Sequence, residues 1–153
     1  MKTVSGDLLQ LALDGKFDVV VHGCNCQNQM GKGIALTIKR LFPEACAADQ
    51  ATVKGDPGKL GAISVAEIER HGRTFFVVNG YTQLHWRGAG VKADYAAIRL
   101  VMKAVKSRFG GMRIAYPKIG AGLAGGDWDH IAGIIAEELD GEDHTFVEFT
   151  ASA

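Results

Sequence analysis

The chain has 153 residues, the length of one ordinary domain, and 17 Lys+Arg balance 17 Asp+Glu to a formal net charge of zero. Neutrality disfavours a protein that grips nucleic acid through its phosphates, no apolar run approaches the ~20 residues that span a bilayer, and the N-terminus lacks a signal-peptide core, so a cytoplasmic location without a membrane partner is expected. Hydrophobic residues reach 47%, enough for a core, while the 20 glycines follow no collagen period and form no Gly/Ser tract, so parts of the backbone must turn sharply or approach something closely.

The apolar, β-branched run Phe17-Asp-Val-Val-Val-His22, bounded by Gly15 and Gly23, reads as a buried strand. Ile34, Ile38 and Leu41 then recur on one helical stripe, which Pro43 ends or passes to a second helix over 44–54. After the turn cluster Gly55-Asp-Pro-Gly58, residues Ile63–Glu69 and Thr74–Val78 read as two strands joined by a hairpin turn at His71-Gly72. Tyr95, Ile98, Met102, Val105 and Phe109 mark the clearest amphipathic helix, stopped by Gly110-Gly111. Met112–Tyr116 is a strand, Asp127 is placed to cap a helix carrying Ile131, Ile134, Ile135 and Leu139, and Thr145–Thr150 closes the chain as a strand. Strands alternating with helices predict a single α/β domain over 1–153 with a mostly parallel sheet covered on both faces.

In such sheets ligands sit beyond the carboxyl ends of the strands. Two glycine loops fall there, His22-Gly-Cys-Asn-Cys-Gln-Asn-Gln-Met-Gly-Lys-Gly33 and Ile119-Gly-Ala-Gly-Leu-Ala-Gly-Gly-Asp127, and each runs into a helix. They hold seven of the glycines: Gly23, Gly31, Gly33, Gly120, Gly122, Gly125 and Gly126. A loop of this kind presents free backbone N–H groups and the positive end of a helix dipole, which favours phosphate without any net basic charge. The P-loop pattern is absent, because Gly31-Lys32 is followed by Gly33. Gly120-Ala-Gly-Leu-Ala-Gly125 lies too late in the chain for a dinucleotide fingerprint, and no Arg follows Cys24 or Cys26 before Arg40, as a thiol phosphatase needs. Three cysteines, an odd number, suit a reducing compartment; Cys24-x-Cys26 is too tight for a zinc knuckle and the five histidines are scattered, so no metal is expected.

At these residues the sequence resembles the macro domain family along essentially its whole length. Gly6-Asp7-Leu8-Leu9 is similar to the family's N-terminal turn, His22-Gly-Cys-Asn-Cys with Met30-Gly-Lys-Gly-Ile-Ala35 to its first ligand loop, and Pro117-Lys-Ile-Gly-Ala-Gly-Leu123 to its second. The resemblance implies a three-layer α/β/α fold with a mixed, mostly parallel sheet that binds ADP-ribose or a derivative, with no cofactor and as a monomer. It places Asp7 at adenine, Asn25 at the distal ribose, and Gly31, Lys32, Gly33 and Ile34 around that ribose and the diphosphate, with Leu8, Gly23 and Met30 also expected among the ligand-binding residues. Ile119, Gly120, Ala121, Gly122 and Leu123 would cradle the diphosphate. Phe149 would lie against adenine, its alternative being a core position.

The first loop is similar to two branches of the family: yeast-type and phage ADP-ribose 1''-phosphate phosphatases, and glycohydrolases that remove terminal ADP-ribose from glutamate or DNA thymine. The second branch uses a lysine that forms an adduct with the distal ribose, and the matching position here is Gln83, which cannot do so. The leading expectation is therefore a metal-independent phosphatase acting on ADP-ribose 1''-phosphate. His22 would transfer a proton or attack phosphorus, with Asn25 beside it and Asp127 holding a water or orienting the imidazole. The alternatives are an ADP-ribosyl hydrolase acting on protein or nucleic acid without the lysine, and a reader that binds ADP-ribose and catalyses nothing. Nucleic acid enters only as an ADP-ribosylated substrate. His85 and Trp86 would form a lid over the site or merely pack.

Overall fold

The structure, a computed structural model, describes residues 1–87 and 90–151. Its elements run β1 (Lys2–Gly6), α1 (Leu8–Leu13), β2 (Val19–Asn25), α2 (Gly33–Leu41), α3 (Pro43–Gln50), a 3₁₀ turn (Pro57–Lys59), β3 (Ile63–Arg70), β4 (Arg73–Gln83), α4 (Tyr95–Phe109), β5 (Ile114–Tyr116), α5 (Trp128–Glu138) and β6 (His144–Phe149). The six strands form one sheet in the order β1-β6-β5-β2-β4-β3. All neighbours pair in parallel except β3 with β4. That hairpin turns on His71 and Gly72, both at positive φ (54° and 75°), the two-residue turn whose twist matches its strands.

Side-chain alternation along the strands sorts the core into two layers. Val19, Val21, Val78, Ile114, Tyr116 and Phe146 face α4 and α5, meeting Ile98, Met102, Val105, Ile131 and Ile135. Val20, Val77, Ala115 and Val147 face the other way, onto Leu8, Leu9, Ile38, Phe42 and Ala45 of α1–α3. The three-layer arrangement thus follows from β-branched strands buried on both faces, each fully buried Val or Ile stabilising the fold by about 1.5–3 kcal/mol. Outside the core, Arg70 forks onto both Glu44 oxygens (2.7 and 2.9 Å), tying β3 to α3 and holding the Glu44 carboxyl down to about 2.

Several boundaries differ from the sequence reading. β1 gives no strand pattern in sequence, because Lys2–Ser5 are exposed on both faces at the sheet edge, and α1 forms a short helix behind Asp7, with Leu8, Leu9 and Ala12 buried, where the sequence reading had only a turn. The strand expected over 17–22 starts at Val19 and runs on to Asn25, and β4 extends past Val78 to Gln83. The strand over 112–116 shrinks to three residues, and α3 stops at Gln50 because Ala51 and Thr52 turn the chain toward Gly55.

Candidate functional site

Because β1, β6, β5, β2 and β4 run in the same direction, their carboxyl ends share one edge of the sheet. A cleft of about 1030 Å³ opens there, lined from β1 to β4 by Asp7, Phe149, Pro117, Asn25 and Gln83. Its two walls are the glycine loops. The first leads into α2, whose opening N–H groups carry no side-chain cap, and Ile34 and Ala35 line the cleft at that helix start. Uncapped N–H groups in such a place are anion donors. The second loop closes on itself through Gly126 N–H donating to Gly120 O at 2.7 Å. A Cβ on Gly126 would stand 2.6 Å from that oxygen, so the turn admits only glycine, whereas Gly122 has open space where its Cβ would be. Leu123, 72% exposed, reaches across to 3.5 Å from the position of a Cβ on Gly33.

The charged lining residues are Asp7, Lys32, Lys118 and Glu148, two of each sign. Backbone donors therefore supply the attraction for a phosphate, consistent with the neutral composition. Asp7 caps α1, its Oδ1 accepting from Leu9 and Gln10 N–H (3.0 and 3.2 Å). Phe149 is 73% exposed at the rim, which removes its core alternative and leaves a free aromatic face. At the other end, a bulge after Cys24 pairs Asn25 with Gln83 across β2 and β4. The Asn25 carboxamide folds its own loop, accepting from Gln27 N–H and donating to Gln29 O, both at 2.9 Å. Gln83 donates to His85 O at 3.1 Å, and Trp86 lines the cleft stacked on His85 at 4.3 Å between centroids.

Of the residues singled out from sequence, Asp7, Leu8, Gly23, Asn25, Gly31, Lys32, Gly33, Ile34, Ile119, Gly120, Gly122, Leu123 and Phe149 converge on the cleft. Four do not. His22 has no exposed surface and lies on the α3 side of β2, one residue deep to the cleft floor. Its Nε2 meets Asn79 Oδ1 at 2.6 Å, while Asn79 Nδ2 donates to Ala45 O and Ser64 Oγ (each 3.0 Å). This fixes Nε2 as the protonated nitrogen of a neutral ring. Burial pulls the imidazole down to about 4, the Asn79 bond opposing it. The ring expected at the distal ribose is thus a core residue.

Asp127 caps α5 through Asp129 N–H at 3.1 Å and does not line the cleft. Met30 is buried among the α1–α3 core residues, and Ala121 packs against the α4–α5 layer. Thr82 and Glu148 line the cleft without having stood out in sequence, and the parallel ends of β4 and β6 are the signal that places them; Gln29 and Lys118, within the two quoted loop stretches, line it as well. Cys24 also reaches the lining, but burial, reinforced by Asp49 and Cys26, pushes its thiol well up and away from thiolate chemistry. Among the described residues no group of three or more His, Cys, Asp or Glu is arranged to hold a metal, and no helix is long and apolar enough to cross a membrane.

A family model described as Macro domain matches residues 21–135. A protein of Enterobacteria phage T4, named only as an uncharacterized 17.5 kDa protein, is 35% identical over 141 residues, covering 88% of this chain and 87% of its own. A Mycobacterium tuberculosis protein named DNA ADP-ribosyl glycohydrolase is 30% identical over 127 residues, covering 83% of this chain, which spans only 35% of that protein's length. Among solved structures, the macrodomain of Thermus aquaticus DarG superposes with a TM-score of 0.72 at 26% identity, covering 99% of this chain and 97% of that one.

Proposed function

The chain belongs to the macro domain family, and from that premise we propose that its cleft binds ADP-ribose and hydrolyses a bond at C1'' of the distal ribose. The observation that carries the reading is one cleft walled by two glycine loops, the first of which opens into α2, whose first N–H groups have no side-chain cap. In this reading the adenine lies between Asp7 and Phe149, the diphosphate against residues 33–35 and 119–123, and the distal ribose at Asn25 and Gln83.

The chemistry is limited by what surrounds that ribose. Asn25 and Gln83 are carboxamides, able to orient a ribose hydroxyl or a water but unable to accept its proton. His22 is sequestered in the core. A site of this kind favours a leaving group that departs as a stable anion and needs no protonation. Water then attacks C1'', the C1''–O bond breaks, its electrons leave with phosphate from ADP-ribose 1''-phosphate or with carboxylate from acyl-linked ADP-ribose, and the proton shed by the attacking water passes to solvent or to that departing anion. The ammonium of Lys32 and the α2 N-terminus stand ready to meet that anion.

Reaction of ADP-ribose 1''-phosphate in ¹⁸O-water tests the reading: the released inorganic phosphate is expected to carry no label, because attack at C1'' leaves its oxygens untouched. Label in inorganic phosphate would mean attack at phosphorus, and no turnover of either substrate would leave a binding module. A second reading, removal of ADP-ribose from DNA, is supported by the name of the 30%-identical mycobacterial relative. Release of ADP-ribose from modified DNA in preference to the two anionic conjugates would favour it.

A further inference from the structure

Behind the first glycine loop, away from the cleft lining, lies a buried polar cluster. The turn of the loop is pinned there by Asn28, whose backbone is left-handed at φ 55°. Asn28 Nδ2 donates to Thr52 O at 3.0 Å, and its carbonyl accepts from Gln50 Nε2 at 2.8 Å. Its Oδ1 accepts from Lys59 Nζ at 2.6 Å. Lys59 is only 7% exposed; its ammonium also donates to Thr52 Oγ1 at 3.0 Å and stands 4.9 Å from the centroid of the Tyr81 ring. Tyr81 OH in turn donates to Asp49 Oδ1 at 2.8 Å, and the second Asp49 oxygen is buried with no partner among the described residues. The same turn is held by Gly55 N–H donating to Cys26 O at 2.7 Å.

Burying an ammonium is costly, and a methionine would fill the space of the lysine stem without that cost. The charge must therefore be accounted for by what it holds. What it holds is the middle of the loop: Asn28 lies between Asn25 and Gly31, and the Asn25 carboxamide bridges that turn from Gln27 N–H to Gln29 O. We propose that Lys59 is a positioning residue for the ligand site: its buried ammonium, acting through Asn28, fixes the loop shape that presents Asn25 and the Gly31–Gly33 backbone to the ligand. Asp49, hydrogen-bonded to Tyr81, is the acidic member of the cluster: burial raises its carboxyl, and the charge of Lys59 opposes that rise without a direct ion pair among the described residues. This rests on the reading of the cleft as an ADP-ribose site, and it adds a control point that touches no ligand.

The test uses the full chain as wild type, Lys59→Met, Asn28→Gly and the double variant; glycine keeps the left-handed backbone of Asn28 while removing its side chain. In the ligand-free protein, Lys59→Met is expected to speed hydrogen exchange of amides 26–33 about tenfold or more, with the core amides of β2 and β4 unchanged. ADP-ribose affinity, by calorimetry, is expected to fall about tenfold as the competent loop shape is depopulated. The double variant should bind no more weakly than Asn28→Gly alone, because Lys59 is proposed to reach the loop through the Asn28 side chain. Unchanged exchange in 26–33, exchange faster throughout the sheet, or losses that multiply in the double variant would each overturn the proposal. Should Lys59→Met fail to fold, Asn28→Gly carries the same exchange and affinity readings. Wild type that does not bind ADP-ribose would instead overturn the functional reading, and the exchange arm would still decide whether Lys59 holds the loop.

Discussion

Replacing Gly122 by alanine separates the roles of the second loop's glycines. Gly122 lies on the cleft lining with open space where its Cβ would be and a backbone that alanine adopts freely. The fold therefore has nothing to lose, and the stiffer unfolded chain should add about 0.4–1 kcal/mol of stability. If the diphosphate lies against this loop as proposed, the new methyl group takes up part of that open space and holds it off the loop N–H groups. Losing one charge-assisted bond there costs about 1.5–3 kcal/mol, or roughly 10- to 150-fold in Kd. Stability and binding thus move in opposite directions.

Gly126→Ala provides the contrast, since its Cβ would meet Gly120 O at 2.6 Å and Ile131 Cδ1 at 2.9 Å. That variant should lose stability and binding together. Thermal denaturation and calorimetry with ADP-ribose measure both quantities. Gly122→Ala protein that binds ADP-ribose with wild-type affinity would refute the idea that this backbone meets the diphosphate.

Three further outcomes follow from the site. The His22 imidazole takes a proton near pH 4 when folded and near 6.5 when unfolded, so between those values the unfolded chain binds the extra proton. Stability should fall as pH drops through that window, by about 2 kcal/mol between pH 6.5 and 5. Denaturant midpoints should show a shallower pH slope in His22→Asn, and equal slopes would locate the proton uptake elsewhere. Phe149→Ala, at a rim position 73% exposed, should leave Tm unchanged while weakening ADP-ribose binding by about 1–3 kcal/mol, the value of stacking one base; equal affinity would take the adenine away from this ring. Gln83→Leu should lower kcat about tenfold or more with little change in ADP-ribose Kd, as expected of a group that orients water rather than binds. A change in affinity alone would make Gln83 a binding residue.

Much of this site was legible because glycine loops and helix starts are written locally. The run from Gly31 to Ile34 and that from Ile119 to Leu123 announce turns entering helices, and apolar strands before each place them at one sheet edge. His22 was not legible, since whether it faced the cleft or α3 depended on where β2 ends. The strand continues to Asn25, and alternation then turns His22 inward onto Asn79. Met30 misled for a related reason: a loop residue by sequence, it is drawn into the core beside Ile38 and Phe42. Gln83 sits at the end of β4, where Asn79-Gly-Tyr-Thr-Gln83 lacks an apolar pattern because those residues pack on polar partners and on the cleft. The buried Lys59 was hidden by its neighbours, since Gly55–Gly58 reads only as a turn.

A crystal of the wild-type chain soaked with ADP-ribose tests the central claim most directly. One molecule is expected along the cleft, its diphosphate oxygens about 3 Å from backbone nitrogens of residues 33–35 and of Gly120, Gly122 or Leu123, and its distal ribose beside Asn25 and Gln83. A cleft that stays empty at millimolar ADP-ribose, or a ligand whose diphosphate is held by Lys32 and Lys118 side chains away from both loops, would contradict it.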